Sequence, residues 1–510
     1  MHEELELKLA VTPDELERLR RDPLVRSLAH KRASTKRLHS TYFDTPSHDL
    51  RRRGMAFRVR QIGKRRVQTL KVPGKGAGGL QHHREYEAEV EADTPDVERI
   101  EDETLRRLFD AEGLTRKLTP VFTTAFSRSS VPLKLEDSEV ELALDSGEIA
   151  AGGESLPICE AELELVSGSS ERIYELALAL HKRIDFRLET RTKAARGYQL
   201  LAVDRPLSPQ KAQALDLQPE MTVGEAFVAA ARSCLEQIRV NEAVVLLDRD
   251  AGRDPEGIHQ LRVGVRRLRA LVAVFKKVLS EEAHAFLRAE LAWLQGALGP
   301  AREWDVFVLE TLAPLRRRLP DDPDLAALGE AADARRRLAD QSARTALLAP
   351  RYTDFLLRFE LWLDSGGWAF RGGGNQAPNR RVGHFAAEAL DRRANKLHKL
   401  TRKWKTLPEA ELHKVRILAK KLRYTAEFFQ ALYPRKLVRS QLWVITRIQD
   451  TLGSLNDAVV IDALLADLDG AVTERAAAVV KGWQAACIER NLAQFRDDLK
   501  AYEKRRQHWT

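Results

Sequence analysis

The chain has 510 residues, and at ~100–200 residues per domain that excludes a single small module. Hydrophobic residues make up 44% and charged residues 31%, with a mean hydropathy of -0.39, so there is apolar material for sizeable cores and global disorder is excluded. The formal charge is +9, which invites a polyanionic partner; residues 1–205 carry 35 basic and 36 acidic side chains, net -1, while residues 206–510 carry 49 and 39, net +10. In chain order, the first two hundred residues read as strands. Charged and apolar residues alternate in Glu4 to Leu9, Ala56 to Arg60, Val67 to Lys71, Glu85 to Glu91, Val140 to Leu144 and Glu160 to Val166, the period of a half-buried strand. Helical signals interrupt at Thr12 to Arg21, where Pro13 follows a threonine cap, and at Ser169 to Lys182. This predicts an α+β domain over 1–203 dominated by an antiparallel sheet.

Prolines 206, 209 and 219 fall in a stretch without periodicity, so 204–221 reads as a linker. From 222 to 510 the apolar spacing is helical, apart from a glycine-rich loop from Ser365 to Asn379, and the second domain is expected to be all-α. It repeats itself. His259, Arg262, Arg266, Arg267 and Arg269 recur 154 residues later as His413, Arg416, Lys420, Lys421 and Arg423, and Gln295 and Leu298-Gly299 recur as Gln449 and Leu452-Gly453, implying two homologous helical halves. The cysteines, Cys159, Cys234 and Cys487, have no metal-ligand spacing, which points to a reducing cytosol. No apolar run reaches the ~18–20 residues of a membrane span and the N-terminus opens on acidic residues, so neither secretion nor membrane insertion is expected.

In a strand, Glu4, Glu6 and Lys8 share a face, as do Arg58 and Arg60, the glutamates at 85, 87 and 89, and those at 160, 162 and 164. One reading is a solvated outer face. The other is a closed barrel pointing both signs of charge inward, where carboxylates would hold a hard divalent cation and the Arg and Lys a phosphate chain. Gly74 to Gly79 lacks the Ser or Thr of a P-loop and reads as a hairpin tip.

The ordered set Glu4-x-Glu6-x-Lys8, Tyr42-Phe43-Asp44-Thr45, Gly54-Met55-Ala56-Phe57-Arg58-Val59-Arg60, Thr69-Leu70-Lys71, Leu142-Ala143-Leu144-Asp145-x-Gly147, Glu160-x-Glu162-x-Glu164 and Lys193-Ala194-Ala195-Arg196-Gly197-Tyr198 resembles the CYTH superfamily of triphosphate tunnel metalloenzymes over residues 1–200. The resemblance implies an eight-stranded antiparallel tunnel with helices. In it Lys8, Arg58, Arg60, Lys71 and Arg128 would bind the phosphates, and Glu4, Glu6, Asp145, Glu160 and Glu162 would bind Mg²⁺ or Mn²⁺. Glu4 and Glu6 would act on the attacking water, with Lys193 as proton donor or clamp, and Glu164 would be a ligand or lie at the tunnel mouth. It implies hydrolysis of inorganic tripolyphosphate to phosphate and pyrophosphate. Related tunnel proteins act on nucleoside or thiamine triphosphates or cyclise ATP, and a non-catalytic polyphosphate-binding scaffold is the reading from another class.

Residues 259, 262, 266 and 269 share one helical face, as do 413, 416, 420 and 423. The cationic stripes carry no interleaved carboxylate and few aromatics for base stacking, which ranks polyphosphate above nucleic acid. The paired motifs His259-x2-Arg262-x3-Arg266-Arg267-x-Arg269 and His413-x2-Arg416-x3-Lys420-Lys421-x-Arg423 resemble the CHAD domain, an all-α module of two four-helix-bundle halves. That resemblance implies inorganic polyphosphate binding by His259, Arg262, Arg266, Arg269, His413, Arg416, Lys420 and Arg423, in a cytoplasmic protein associated with polyphosphate granules. Asn456 stands at the repeat position of Arg302, so unequal halves are expected.

Overall fold

The computed structural model describes residues 2–74, 80–201, 207–247, 254–369, 378–402, 409–468, 470 and 472–505. The expected hairpin tip at 75–79, the first residues of the linker and most of the glycine-rich loop lie outside the described residues. In chain order the first elements are β1 (His2–Ala10), α1 (Pro13–Arg21), α2 (Pro23–Leu28), β2 (Ser34–Asp44), α3 (Asp49–Arg52), β3 (Ala56–Ile62), β4 (Arg65–Pro73) and β5 (Gln81–Glu89). They are followed by α4 (Glu103–Ala111), β6 (Thr119–Leu135), β7 (Ser138–Ala151), β8 (Glu154–Ser167), α5 (Glu171–His181), β9 (Arg187–Leu188) and α6 (Lys193–Leu200). The later helices are α7 (Val223–Leu247), α8 (Pro255–Val274), α9 (Glu281–Val306), α10 (Ala313–Arg318), α11 (Pro323–Leu348), α12 (Pro350–Ser365), α13 (Val382–Thr401), α14 (Glu409–Phe429), α15 (Arg435–Thr451), α16 (Gly453–Asp467) and α17 (Glu474–Arg505).

Two compact units result, one of residues 1–208 and 348–367 and the other of 209–347 and 368–510. In the first, the strand order β5-β4-β3-β2-β6-β7-β8-β1 closes on itself through pairing of β1 with β5, and β9 adds two residues beside β1. All pairings are antiparallel. The result is an eight-stranded barrel, which removes every open sheet edge. Its polarity is inverted relative to a packed core. Leu7 and Leu9 of β1 face outward into a cluster with Leu16 and Leu19 of α1, Val25 of α2 and Ile173, Leu176 and Leu180 of α5, while Glu4, Glu6 and Lys8 of the opposite parity turn into the lumen. A second outer cluster covers β3 to β5 with Leu50 of α3 and Phe109 of α4. Thr12 caps α1 by accepting from the Glu15 amide at 3.2 Å, as its position before Pro13 predicts.

Helix α12, which the sequence places in the helical domain, clusters instead with the barrel unit. Leu357 is fully buried in the α1–α5 cluster with Leu361 packed on it. Polar ties flank the contact, from Ser170 to Asp364 at 3.1 Å and between the His181 ring and the Pro350 carbonyl at 2.9 Å. The physical reason is that Leu357 completes the apolar cluster built around Ile173, Tyr174, Leu176, Ala177 and Leu180 of α5.

Among the described residues every element of the second unit is a helix, and the 154-residue offset extends from residues to elements. Shifted by it, α7, α8, α9 and α11 fall on α13, α14, α15 and α17. Phe275 and its repeat mate Phe429 touch, with ring centroids 6.1 Å apart, and a residue in contact with its own mate lies near the axis relating two halves. Each half ties its third helix to its fourth through a buried aspartate, with the polarity exchanged: Arg336 of α11 meets Asp305 of α9, and Arg447 of α15 meets Asp498 of α17, both at 2.7 Å. Among the described residues, no helix is long and apolar enough to cross a membrane.

Candidate functional site

The barrel encloses a cavity of about 280 Å³ lined by Glu4, Glu6, Lys8, Arg58, Arg60, Lys71, Arg128, Glu162, Glu164 and Lys193, together with Tyr42, Arg51, His83, Glu85 and Glu87. The remaining carboxylates of the expected set, Asp145 and Glu160, are buried directly against Lys193. The site is built from facing strands and one helix. Thr192 caps α6 by accepting from the Ala195 amide at 3.0 Å, which sets Lys193 at the first turn. Asp44 anchors the opposite end of that helix: it accepts from Tyr198 Oη at 2.7 Å and from the amides of Thr45, Leu50 and Arg51 at 2.7, 2.9 and 3.0 Å. Gly197 lies so close to Phe122 that a Cβ there would sit 2.4 Å from the ring, so α6 approaches the barrel as only glycine permits.

The charges sort into two groups. In one, Asp145, Glu160 and Glu162 bring carboxylate oxygens within 4.8 Å of one another, and cations fill the space between them. Lys193 lies 2.7 Å from Asp145 and 2.9 Å from Glu162 and also pairs with Glu160. Arg128 donates to both Asp145 oxygens at 2.7 and 2.6 Å and also meets Glu162, while Arg196 and Lys8 close on Glu160 and Glu162. In the other group, Glu4, Glu6 and His83 gather ligand atoms within the same 4.8 Å; Lys71 pairs with Glu4 at 2.6 Å and with Glu85, and Lys8 with Glu6 at 2.8 Å. Arg58 and Arg60 differ from these cations. Among the described residues neither has a carboxylate in ion-pair range; Arg60 donates to Ser40 at 3.2 Å, and Nε of Arg58 is buried without a hydrogen-bond partner.

The electrostatics follow from this arrangement. Burial works against charge on Lys8, but the carboxylates of Glu162, Glu6 and Glu160 outweigh it and hold the ammonium above its usual range. Lys193 is held up in the same way, against burial, by Glu162, Asp145 and Glu160. For Arg60 the balance falls the other way: burial, then the neighbouring Arg58 and Arg128, outweigh the pull of Tyr42 and Asp145 and push it down to about 9. Glu164 is pushed up to about 7 by burial and by Glu4, Glu6 and Glu141.

In the second unit, Arg266 and Arg269 of α8 share a cavity of about 410 Å³ with Lys420, Lys421 and Tyr424 of α14, Gln295 of α9 and Arg393 of α13. Ala270 and Tyr424 are repeat mates, as are Arg266 and Lys420, so this cavity straddles the line between the halves. The arginines at 269 and 423 donate to the equivalent glutamines Gln295 and Gln449. The remaining expected residues line up along the same two helices: Arg262 donates to the Leu298 carbonyl at 2.9 Å, and the buried Nε atoms of Arg262, Arg266 and Arg416 have no hydrogen-bond partner. His259 is half-buried and its ring is held below its usual range by burial and by Arg302, with Arg266 and Arg262 adding to it; His413 is exposed.

The CYTH domain family matches residues 2–198 and the CHAD domain family residues 229–466. The chain joins a CYTH domain to a CHAD domain. An inorganic triphosphatase from Haemophilus influenzae is 34% identical over 205 residues, 39% of this chain and 55% of that protein, so the chain spans about half the length of that relative. A solved CHAD domain from the plant Ricinus communis is 32% identical, covering 58% of this chain and 97% of that one with a TM-score of 0.49. A Hippeastrum protein described as a putative adenylyl cyclase with a dominant triphosphatase activity is 21% identical over 39% of this chain and 96% of that one, with a TM-score of 0.30.

Every residue expected to act in the CYTH domain thus converges on one lumen, and its buried acidic groups could hold a metal ion. The five expected metal ligands, however, fall into the two separate groups. In the CHAD domain no carboxylate is interleaved in either stripe, and Glu427, past the end of the second, pairs with Arg423 at 3.1 Å. Arg267, beside the stripe, turns away from it, donating to Gln237 at 2.7 Å beneath the Phe428 ring. The side chain of Asn456 lies outside the described residues. Sequence reasoning missed His83, Arg196 and Arg393. His83 has the same strand parity as Glu85 and Glu87 and was reachable by extending β5 to its true start at Gln81. Arg196 stands three residues after Lys193, one turn along the same helix.

Proposed function

We propose that the CYTH domain hydrolyses inorganic tripolyphosphate to phosphate and pyrophosphate in a reaction that needs a divalent ion, and that the CHAD domain binds inorganic polyphosphate. The observation that carries the first part is the asymmetry of the lumen. Its other expected phosphate ligands are matched by carboxylates, while Arg58 and Arg60 have none in ion-pair range and lie beside a carboxylate group suited to a cation. A site so arranged is completed by an anion and a metal together. The cavity of about 280 Å³ lies just under the ~300–1,000 Å³ of small-molecule sites, which favours a bare triphosphate over a nucleotide.

When bound, Mg²⁺ or Mn²⁺ would supply positive charge at the phosphoryl oxygens. The chain's own part is positioning and charge neutralisation. Arg58 and Arg60 bind the terminal phosphoryl group, and Lys8, Lys71 and Arg128 follow the rest of the chain. Glu4 and Glu6 hold the cation and orient the attacking water, with Asp145, Glu160 and Glu162 keeping the basic wall in place. Lys193, held charged by three carboxylates, is a clamp on the leaving pyrophosphate rather than its proton donor.

Phosphate release from tripolyphosphate, ATP and thiamine triphosphate, each with Mg²⁺ and Mn²⁺, tests this. Tripolyphosphate is expected to be the best substrate, and Glu6→Gln to lower kcat/KM by ~100-fold or more, the scale of losing a group that acts on transition-state charge. Full activity in Glu6→Gln would sink the assignment, and preference for ATP would favour the nucleotide reading. In the CHAD domain, the shared basic cavity and the duplicated Arg–Gln pairs support a polymer of phosphates bridging the two halves, with His259, Arg262, Arg266 and Arg269 on one side and His413, Arg416, Lys420 and Arg423 on the other.

A further inference from the structure

Glu4, Glu6 and His83 meet where the barrel closes. Glu4 on β1 and His83 on β5 are direct register partners, and residues opposite each other in an antiparallel pair project from the same face of the sheet with Cβ atoms ~5 Å apart. Glu6 follows two residues on, again on the lumen face. One ligand atom from each lies within 4.8 Å of the other two. Ligands ~2.1 Å from an ion stand up to ~4.2 Å apart, so closure around a cation requires only a small side-chain adjustment. The imidazole itself supplies a second, independent observation. Its Nδ1 is buried with no hydrogen-bond partner among the described residues, although a buried ring nitrogen left unmatched is costly.

The other carboxylate group has the same spread but a different state. Lys193 and Arg128 already bridge Asp145 to its neighbours, and the ammonium stands where a metal would go. At Glu4 and Glu6 the ammonium groups of Lys71 and Lys8 each approach one oxygen, and a carboxylate has a second to offer.

We propose that His83 is a metal ligand, making the catalytic cation site one of two carboxylates and one imidazole that selects a first-row transition ion over Mg²⁺. The choice follows from ligand chemistry: carboxylate and water suit Mg²⁺, while imidazole nitrogen adds affinity for transition ions and little for Mg²⁺. The inference rests on the reading above that the lumen holds a divalent ion, and sharpens it to one of the two groups.

Mn²⁺ added to the full-length protein is the probe, read by pulsed electron paramagnetic resonance for modulation from a coordinated ¹⁴N. Nitrogen modulation is expected, changing to the ¹⁵N pattern after labelling with ¹⁵N-histidine and vanishing in His83→Ala and in His83→Gln, the second variant serving if the first fails to fold. Direct titration should show Mn²⁺ affinity falling about tenfold or more in those variants, with Mg²⁺ affinity, measured by competition, changing less than about threefold. Bound Mn²⁺ without nitrogen modulation, modulation that persists in both variants, or equal losses for the two ions would overturn the proposal. In those cases phosphate release that still depends on Glu6 leaves the hydrolase reading standing, as does a wild-type protein that binds Mg²⁺ but no Mn²⁺, whereas one that binds neither ion overturns both.

Discussion

Lys420 is half-buried in a field of its own sign. Burial, then Arg266, Arg416, Arg423 and Arg262, push its ammonium down to about 7, so near neutrality it is charged in only part of the molecules. A polyanion stabilises the charged form, and lowering the pH from 8 to 6 supplies the proton beforehand. Polyphosphate affinity of the full chain is therefore expected to rise by up to about tenfold over that interval. Phosphate ends also titrate there, so the residue is identified by substitution. Lys420→Arg, charged throughout, should bind at pH 8 about as wild type binds at pH 6, and Lys420→Met should lose most of the slope. Isothermal titration at the two pH values would show it; an unchanged slope in both variants would remove Lys420 from the binding surface.

At the scale of elements, helix α6 shows how backbone placement sets the charge network. Lys193 and Arg196 reach Glu160 and its neighbours because Gly197 lets the helix lie against Phe122, whose ring is stacked on Tyr42 with centroids 4.5 Å apart. Adding one methyl group in Gly197→Ala forces the ring or the helix to move. We expect a loss of ~1–3 kcal/mol in urea unfolding, the range for overpacking, together with lower tripolyphosphatase activity; unchanged stability would mean that the contact is slack. The same elements show what sequence can and cannot reveal. β1 was legible because Glu4-Leu5-Glu6-Leu7-Lys8-Leu9 alternates without exception, but alternation left open which face turns inward, and family resemblance chose it. β2 was not, since Ser34 to Arg37 offers polar side chains to both faces, and β6 carries Pro120 and Pro132, which argue against a strand interior and are tolerated here within seventeen residues. Arg128 sits in that strand, so only family resemblance pointed to it. The split of the carboxylates into two groups was invisible because it depends on which cation reaches which oxygen across the lumen. In the second domain, a constant offset located the paired helices and the spacing already left Arg267 off the stripe, but it could not show that Gln237 is what Arg267 meets there.

For the molecule as a whole, α12 is the element whose place in the chain and place in the fold disagree. Leu357→Ala empties a fully buried position in the core beneath α5 and is expected to cost ~2–5 kcal/mol. Hydrogen exchange measured by mass spectrometry should show faster exchange in residues 171–181, the amides of α5, and exchange there that matches wild type would contradict the packing. The contact also fixes an order of events that no inventory of domains contains. On a ribosome, α5 is finished at His181 and its cover begins only at Pro350, 169 residues later. At ~5–20 residues per second the apolar face of α5 stays open for roughly 10–30 s of synthesis, so the nascent barrel has a built-in waiting period during which a chaperone, or a neighbouring nascent chain, can reach it first.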